Sequence, residues 1–352
     1  MKYAILYNPG HNRVYFETSL KLSISEFSIV AQKFSTKCEN IQRQNIYGVD
    51  YLTFQTDTEL AETDVKMLFD LSFIYALFQV ETIQEELYFK PIRKMREGFV
   101  DDGIGAILKY TGKTNEIFTR MMINVAVCSG GDAKSTAENI RLLDPIAGKG
   151  TTLYEGLVKG YDVYGIEIGD KVVKESYHFL KKFLEMAKYK FDSSIIKVSG
   201  PNKSFSAVRH TFVTAKTKED YKNKNTRTIE MVAGNSMYAN KYYKKNFFDV
   251  IVGDLPYGVQ HGNVTTEKQS SLTRNPSELL KACLPAWKEV LKPGGTIVLA
   301  WNSNVLPRAK MEQLFAEQGF DVKNEDSYLE FEHRVDQSIL RDIIVAQKVG
   351  QK

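Results

Sequence analysis

Apolar positions along this chain follow two rhythms, and the change between them falls after Asn139. In the N-terminal part, KYAILYN (2–8), RVYFETS (13–19) and DYLTFQT (50–56) read as strands. Pro9-Gly10, within NPGHN, predicts the reversal between the first two. A helix is predicted next, opened by a Ser-x-x-Glu capping pattern at Ser23 and Glu26. The most apolar stretch, VKMLFDLSFIYALFQV (65–80), carries Lys66 and Asp70 and is too short to span a bilayer. It reads as a buried helix. Residues 82–112, with the basic run FKPIRKMREG and the turn-prone DDGIGAI, read as a connection. Together these segments predict a smaller α+β N-terminal domain, residues 1–110.

Residues 111–352 predict a second domain. NEIFTRMMINVAVCSG (115–130) has helical periodicity, and from residue 140 strands and helices alternate. IRLLDPIA (140–147), YDVYGIEI (161–168), IEMVAGN (229–235), FFDVIVGD (247–254) and GTIVLAWN (295–302) read as strands. Helices are expected over 151–160, through KVVKESYHFLKKFLEMAKYK and over 276–292. Such alternation implies right-handed βαβ crossovers and a doubly wound, mainly parallel sheet of the Rossmann-like α/β class. Near-continuous apolar strands fit burial on both faces. The C-terminal pair, GFDVKNEDSYLEFEH and SILRDIIVAQK, is expected to close the sheet as an antiparallel hairpin.

Composition narrows the picture only a little. With 352 residues, 43% hydrophobic and 26% charged, the chain suits two globular domains and no disordered or fibrous class. Its 47 basic and 43 acidic residues leave +4, too small a surplus to establish a nucleic-acid partner. Cys38, Cys128 and Cys283 are odd in number and far apart, which excludes a disulfide framework and a CxxC knuckle. A reducing, cytoplasmic setting is expected, because the N-terminus also lacks the apolar core of a signal peptide. None of the five histidines has metal-ligand spacing, so no metal is expected, and the shortness of the apolar stretch 65–80 leaves no membrane partner expected.

The first chemical signal is DPIAGKGTTLYEG (144–156): a carboxylate at a strand end, then Gly148 and Gly150, then a helix start. Glycines let a backbone approach a ligand closely, and free N–H groups at a helix start favour electron-rich groups. A phosphate-cradling loop fails because Lys149 sits between the glycines, and a dinucleotide fingerprint fails because its third glycine position is Leu153. S-adenosylmethionine (SAM) fits the remaining layout, with its amino group on Asp144 and its ribose on Glu167, at the end of the second strand. The plainer alternative is a helix cap at Asp144 and a solvated strand end at Glu167.

The second signal is Asp254-Leu255-Pro256-Tyr257-Gly258, which follows an apolar strand. Ligands of open parallel sheets bind just outside the C-terminal strand ends. An exocyclic amine conjugated into a base is a poor nucleophile. Two acceptors on its hydrogens, the Asp254 carboxylate and the Leu255 carbonyl, would favour a pyramidal nitrogen and stabilise its developing charge. Pro256 restricts Leu255, and Tyr257 can stack on a base taken out of its helix. The alternative here is a proline turn after a core strand.

DPIAGKGTT and DLPYG together resemble motifs I and IV of class I SAM-dependent methyltransferases that modify exocyclic amino groups. Within that class the pair is similar to RNA methylases related to the THUMP-containing tRNA guanosine N2-methyltransferases. The resemblance covers roughly residues 115–345, and leucine at 255 is seen more in the guanosine-N2 branch. It implies a seven-stranded sheet, SAM as cofactor and an RNA substrate, tRNA or rRNA, with the N-terminal domain as an RNA-binding accessory. By the same resemblance Asp144, Ala147, Gly148 and Gly150 line the methionine moiety, with Thr151 and Thr152 opening the next helix. Glu167 and Ile168 take the ribose end. Asn235, followed by Ser236, stands where a polar side chain reads the adenine amine. Asp254, Leu255, Pro256 and Tyr257 form the catalytic set. Lys113, Asn115 and Arg120 fall in the segment that packs over the cofactor.

Two further stretches bear on the substrate. The insertion 190–228 contains KTKEDYKNKNTR, and MYANKYYKKNFF interleaves lysines with tyrosines, so Lys244 and Lys245 are candidates for guiding RNA. The polar segment 258–276, with His261, is placed to fold over a substrate. The expected activity is methyl transfer to a base amine in RNA. The rivals are a DNA adenine-N6 or cytosine-N4 methyltransferase and a non-catalytic scaffold of the same fold.

Overall fold

In the computed structural model, residues 1–8, 13–94, 98–107, 113–131, 140–257 and 276–350 are described. The Pro9-Gly10 reversal, Gly258, His261 and the rest of 258–275 lie outside the described residues, as do 95–97 and 108–112 of the connecting region. The chain divides into two units, residues 1–97 with 324–331 and residues 98–323 with 332–352.

The first unit runs β1 (Lys2–Tyr7), α1 (Arg13–Ala31), β2 (Cys38–Ile46), β3 (Val49–Thr56), α2 (Glu62–Leu68), β4 (Ile74–Ile83) and β5 (Glu86–Ile92). Its antiparallel sheet has the order β2-β3-β1-β4-β5. The first six of these elements follow the ferredoxin-like βαββαβ path, and β5 adds an edge strand.

Four sequence expectations are corrected here. RVYFETS is the start of α1, not a strand. The longer register wins, because Leu20, Ser23, Phe27 and Val30 recur at helical spacing and are buried. Ser23 and Glu26 therefore lie inside α1 rather than at its start. The Ser23 hydroxyl donates to the Leu20 carbonyl at 2.8 Å, and the Glu26 carboxylate accepts from the Ser72 N–H at 2.9 Å. The apolar stretch 65–80 is helical only to Leu68 and continues as β4, which pairs with β1 from Lys2–Val80 to Tyr7–Ile74. A short apolar run does not separate a buried helix from a buried strand; pairing does. Residues 86–92 of the expected connection are likewise strand.

The second unit begins with α3 (Ile104–Ile107), α4 (Glu116–Cys128), β6 (Arg141–Asp144), α5 (Thr151–Val158), β7 (Asp162–Glu167) and α6 (Asp170–Met186). It continues with β8 (Lys190–Ser199), β9 (Ser206–Ala215), α7 (Lys218–Lys222), β10 (Arg227–Ala233), α8 (Ala239–Tyr242), β11 (Phe248–Asp254) and α9 (Pro276–Val290). The last elements are β12 (Leu291–Asn302), α10 (Arg308–Glu317), β13 (Phe320–Lys323), β14 (His333–Arg334) and β15 (Leu340–Lys348). The sheet order is β13-β15-β12-β11-β6-β7-β10-β9-β8, with β14 on β15. Strands β12 to β10 along this path pair in parallel, and β15 runs antiparallel between β12 and β13.

The expected seven strands are β13 through β10 of this order. The insertion 190–228 is more than a basic loop: β8 and β9 form an antiparallel hairpin that lengthens the sheet beyond β10. Many positions of β8 are exposed, so its sequence lacks the apolar signal of a buried strand.

The order in which the chain adds strands reverses between β6 and β11: β7 and β10 lie to one side, β12 and β15 to the other. Asp144 ends β6 and Asp254 ends β11, so both carboxylates sit at the switch point, where open α/β sheets open a crevice. Trp287 of α9, with Phe248, Leu299 and Trp301 of the strands, fills the core behind it. Among the described residues no helix is long and apolar enough to cross a membrane.

Candidate active site

The turn after β6 is built by its glycines. Gly148 and Gly150 have φ of +51° and +93°, a region that favours glycine, and a Cβ on Gly148 would meet no atom within 4 Å. The Gly150 N–H donates to the Ala147 carbonyl at 2.8 Å, and the Ala147 N–H donates to Ile166 of β7 at 2.9 Å. The turn is thus folded on itself and fastened to the next strand. Gly150 is the N-cap of α5.

Two carboxylates frame this turn. Asp144 is 3% exposed; its Oδ1 accepts from the Ile146 N–H at 3.0 Å, and the Thr152 side chain also bonds it. Burial pushes its carboxyl up to about 7, against the pull of those hydrogen bonds. Glu167 accepts from the Gly148 N–H at 3.1 Å and the Gly169 N–H at 2.8 Å, and burial raises its pKa too. Asn235 caps the short turn after β10 by accepting from the Met237 N–H at 3.0 Å. Its Oδ1 keeps a second lone pair and its Nδ2 has hydrogens to give, so this side chain can both accept and donate. The Ser236 hydroxyl accepts from the Trp287 indole at 2.9 Å.

At the end of β11, Asp254 accepts from the Thr114 hydroxyl at 2.6 Å and from the Tyr257 hydroxyl at 2.6 and 2.9 Å. The Leu255 N–H donates to Ala300 of β12 at 2.8 Å, which fixes the segment to the sheet. The Arg341 guanidinium lies 4.6 Å from the Phe118 ring centre and 5.2 Å from that of Tyr257. Burial, then the Asp254 charge, raise the Tyr257 phenol well above its ordinary value, so it stays a donor.

One cavity of about 580 Å³ joins these parts. Asp144, Ala147, Gly148, Thr151, Thr152, Glu167, Ile168, Asn235 and Ser236 line it, together with Asp254, Leu255, Pro256 and Tyr257. Gly150 shapes the turn without being one of the lining residues. Thr114 and Arg341 line it as well; Thr114 lies in the segment expected over the cofactor but was not singled out, and the sequence carried no signal for Arg341. Thr114 precedes the N-cap of α4, and Arg341 lies on the last strand, 87 residues after Asp254.

Other sequence candidates have local duties. Asn115 caps α4 by accepting from the Ile117 and Phe118 N–H groups. Arg120 pairs with buried Glu155 at 2.9 Å. Lys113 lines the cavity while bonded to Glu116 and the Gly105 carbonyl.

The expectation for MYANKYYKKNFF is corrected. Tyr242 and Tyr243 are buried, and the Tyr243 ring packs 4.8 Å from that of Phe248. Lys244 and Lys245 are exposed just before β11, seven residues of strand or about 20 Å from Asp254. Among the described residues no group of three or more His, Cys, Asp or Glu could hold a metal ion.

A family model, UPF0020 (RMKL-like, methyltransferase domain), matches residues 132–327. No curated protein matches the chain. Among solved structures, TrmN from Thermus thermophilus is similar at 15% identity and TM-score 0.40, over 77% of this chain and 59% of that one. An rRNA methylase from Streptococcus thermophilus is similar at 8% identity and TM-score 0.37, over 68% of this chain and 99% of that one. A SAM-dependent methyltransferase from Methanosarcina mazei is similar at 16% identity and TM-score 0.36, over 61% and 95%. The chain thus spans 59% of the length of the TrmN structure.

Proposed function

From the premise that this chain belongs to the UPF0020 family of RMKL-like methyltransferases and uses SAM, we propose that it methylates the exocyclic amine of a nucleobase in RNA, guanosine N2 in tRNA or rRNA. The observation that carries this reading is the single cavity that runs from the glycine turn to the Asp254–Tyr257 segment.

The cofactor half fits SAM. Gly148 leaves open space where a side chain would stand, Asp144 and Glu167 offer acceptors for an amino group and a ribose diol, and Asn235 offers a donor to adenine. When bound, SAM supplies an electrophilic methyl on a positively charged sulfur.

The chain's own residues do the rest. Asp254 and the Leu255 carbonyl take the two amine hydrogens and aim the nitrogen lone pair toward the glycine turn. Tyr257 exchanges its hydroxyl contact with Asp254 for a stacked position on the base. A strong general base is unnecessary, because the methylated ammonium loses its proton readily to water. Guanosine is favoured over adenosine because leucine occupies position 255.

The test is mass spectrometry of RNA nucleosides from cells with and without the gene. Loss of one N2-methylguanosine in tRNA or rRNA is expected. Unchanged RNA with a lost N6-methyladenine or N4-methylcytosine in DNA would overturn the RNA reading. No change in either nucleic acid would favour the scaffold.

A further inference from the structure

Asn302 ends β12, the strand between Asp254 on β11 and Arg341 on β15, and is fully buried. A polar amide here is costly unless every hydrogen-bonding group finds a partner. It does. Nδ2 donates to the carbonyl of Tyr257 at 3.4 Å and to that of Ser338 at 3.2 Å. Oδ1 accepts from the Leu340 N–H at 3.1 Å and from the Asn304 N–H at 3.2 Å. One side chain therefore joins the end of the Asp254–Tyr257 segment to the loop between β14 and β15.

That loop is itself ordered. Asp336 Oδ1 accepts from the Ser338 N–H at 2.7 Å, the Ser338 hydroxyl at 3.0 Å and the Ile339 N–H at 2.8 Å. The Val335 N–H donates to the Ile339 carbonyl at 3.0 Å, which closes the loop. Val335, Asp336 and Ile339 line the same cavity as Asp254. In the sheet order β15 lies beyond β12 and β11, away from β6 and β7, which end in Asp144 and Glu167, and from β10, which Asn235 follows. The loop is therefore on the acceptor side of the cavity.

We infer that Asn302 is a positioning residue that sets the spacing between the amine-clamping segment and the β14–β15 loop, and that this loop forms part of the wall against the target base. The inference rests on the proposed methyl transfer to a base amine. Holding reacting groups to a fraction of an ångström is where such a strut acts, because small misplacement lowers the rate of the chemical step. The strut touches no residue of the cofactor half, so its loss acts on turnover and leaves cofactor affinity alone.

Two variants test it. Asn302→Asp keeps the acceptor for Leu340 and Asn304 but sets oxygen against the Tyr257 and Ser338 carbonyls. Asp336→Ala loosens the loop from its exposed side, where folding is not at risk. Transfer of labelled methyl from SAM to RNA from cells lacking the gene is expected to show kcat lowered about tenfold or more in both, with the Kd for SAM within about twofold. Hydrogen exchange is read in parallel. Asp336→Ala is expected to speed exchange at the Tyr257 N–H in the native background, and to have no such effect in an Asn302→Ala background.

Unchanged kcat in both variants of an active enzyme would overturn the inference. So would loss of SAM binding in step with kcat, which marks a merely structural role. If the native chain methylates no RNA, the RNA reading fails by itself. The exchange experiment still decides the strut, since exchange at Tyr257 that ignores the loop substitution refutes it.

Discussion

The Tyr257 hydroxyl donates to both oxygens of Asp254, at 2.6 and 2.9 Å, and so occupies the acceptor that the proposed chemistry assigns to a substrate amine. Thr114 holds Oδ2 from another side at 2.6 Å. The carboxylate is satisfied before any substrate arrives, which lowers the cost of keeping it half-buried.

This pair predicts opposite outcomes for two substitutions at one position. Tyr257→Phe removes the competing donor and keeps the ring, so kcat/KM for RNA is expected to stay within about threefold of native or to rise. Tyr257→Ala removes the stacking surface, worth about 1–3 kcal/mol, and is expected to lower kcat/KM by roughly ten- to a hundredfold. Steady-state methyl-transfer kinetics on both variants check this, and equal losses would contradict it.

Asp144 predicts a pH dependence with a defined sign. Its folded pKa is raised to about 7 from 3.8, so its contribution to stability is fully present below the unfolded value and is lost as pH rises through about 7. Glu167 shifts in the same direction. Asp144→Asn, which mimics the protonated acid, is expected to flatten this part of the stability profile between about pH 4 and 7 in thermal melts. Cationic SAM favours the ionised acid, so binding near pH 6 is expected to release a proton and to strengthen as pH rises. Calorimetry in two buffers of different ionisation heat measures that proton.

Gly165 of β7 pairs with Asp144, and a Cβ there would stand 2.8 Å from the Ala147 Cβ and 2.9 Å from Leu153 Cδ1. The turn can lie on β7 only because this position is bare. Gly165→Ala is expected to cost about 1–3 kcal/mol by overpacking and to weaken SAM binding as the turn is pushed away. Denaturant melts and a SAM titration of the same variant measure both effects.

Lys244 and Lys245 stand before β11, at the far end of the strand from Asp254. Charge reversal at both is expected to leave methyl transfer to RNA within about twofold, with an unchanged salt slope. A reduced slope of log affinity against log salt would show that the substrate reaches that side.

Much of the methyltransferase unit was written in local pattern. The apolar strands ending in Asp144, Glu167 and Asp254, and the glycines that only a tight turn demands, specify the parallel sheet and its edge without knowledge of the fold. Local pattern failed where neighbouring strands made the decision. The stretch 65–80 became helix and strand because β1 pairs with its second half, and β8–β9 formed a hairpin on an edge where exposed positions need no apolar residues. The tyrosines at 242 and 243, polar enough to suggest a base-stacking surface, went into the core, where Tyr242 meets Phe205 and Tyr243 meets Phe247 and Phe248.

By itself the sequence determined two local motifs: a carboxylate and glycine turn, the proposed donor end, and a carboxylate, proline and aromatic ring, the proposed acceptor end. These motifs carry their geometry within a few residues, so no distant contact is needed to recognise them. Only the tertiary structure decided that Thr114, Asn302 and Arg341 belong with Asp254, because strands remote in sequence share one sheet edge. Pairing across the sheet, and not proximity along the chain, brings those side chains together.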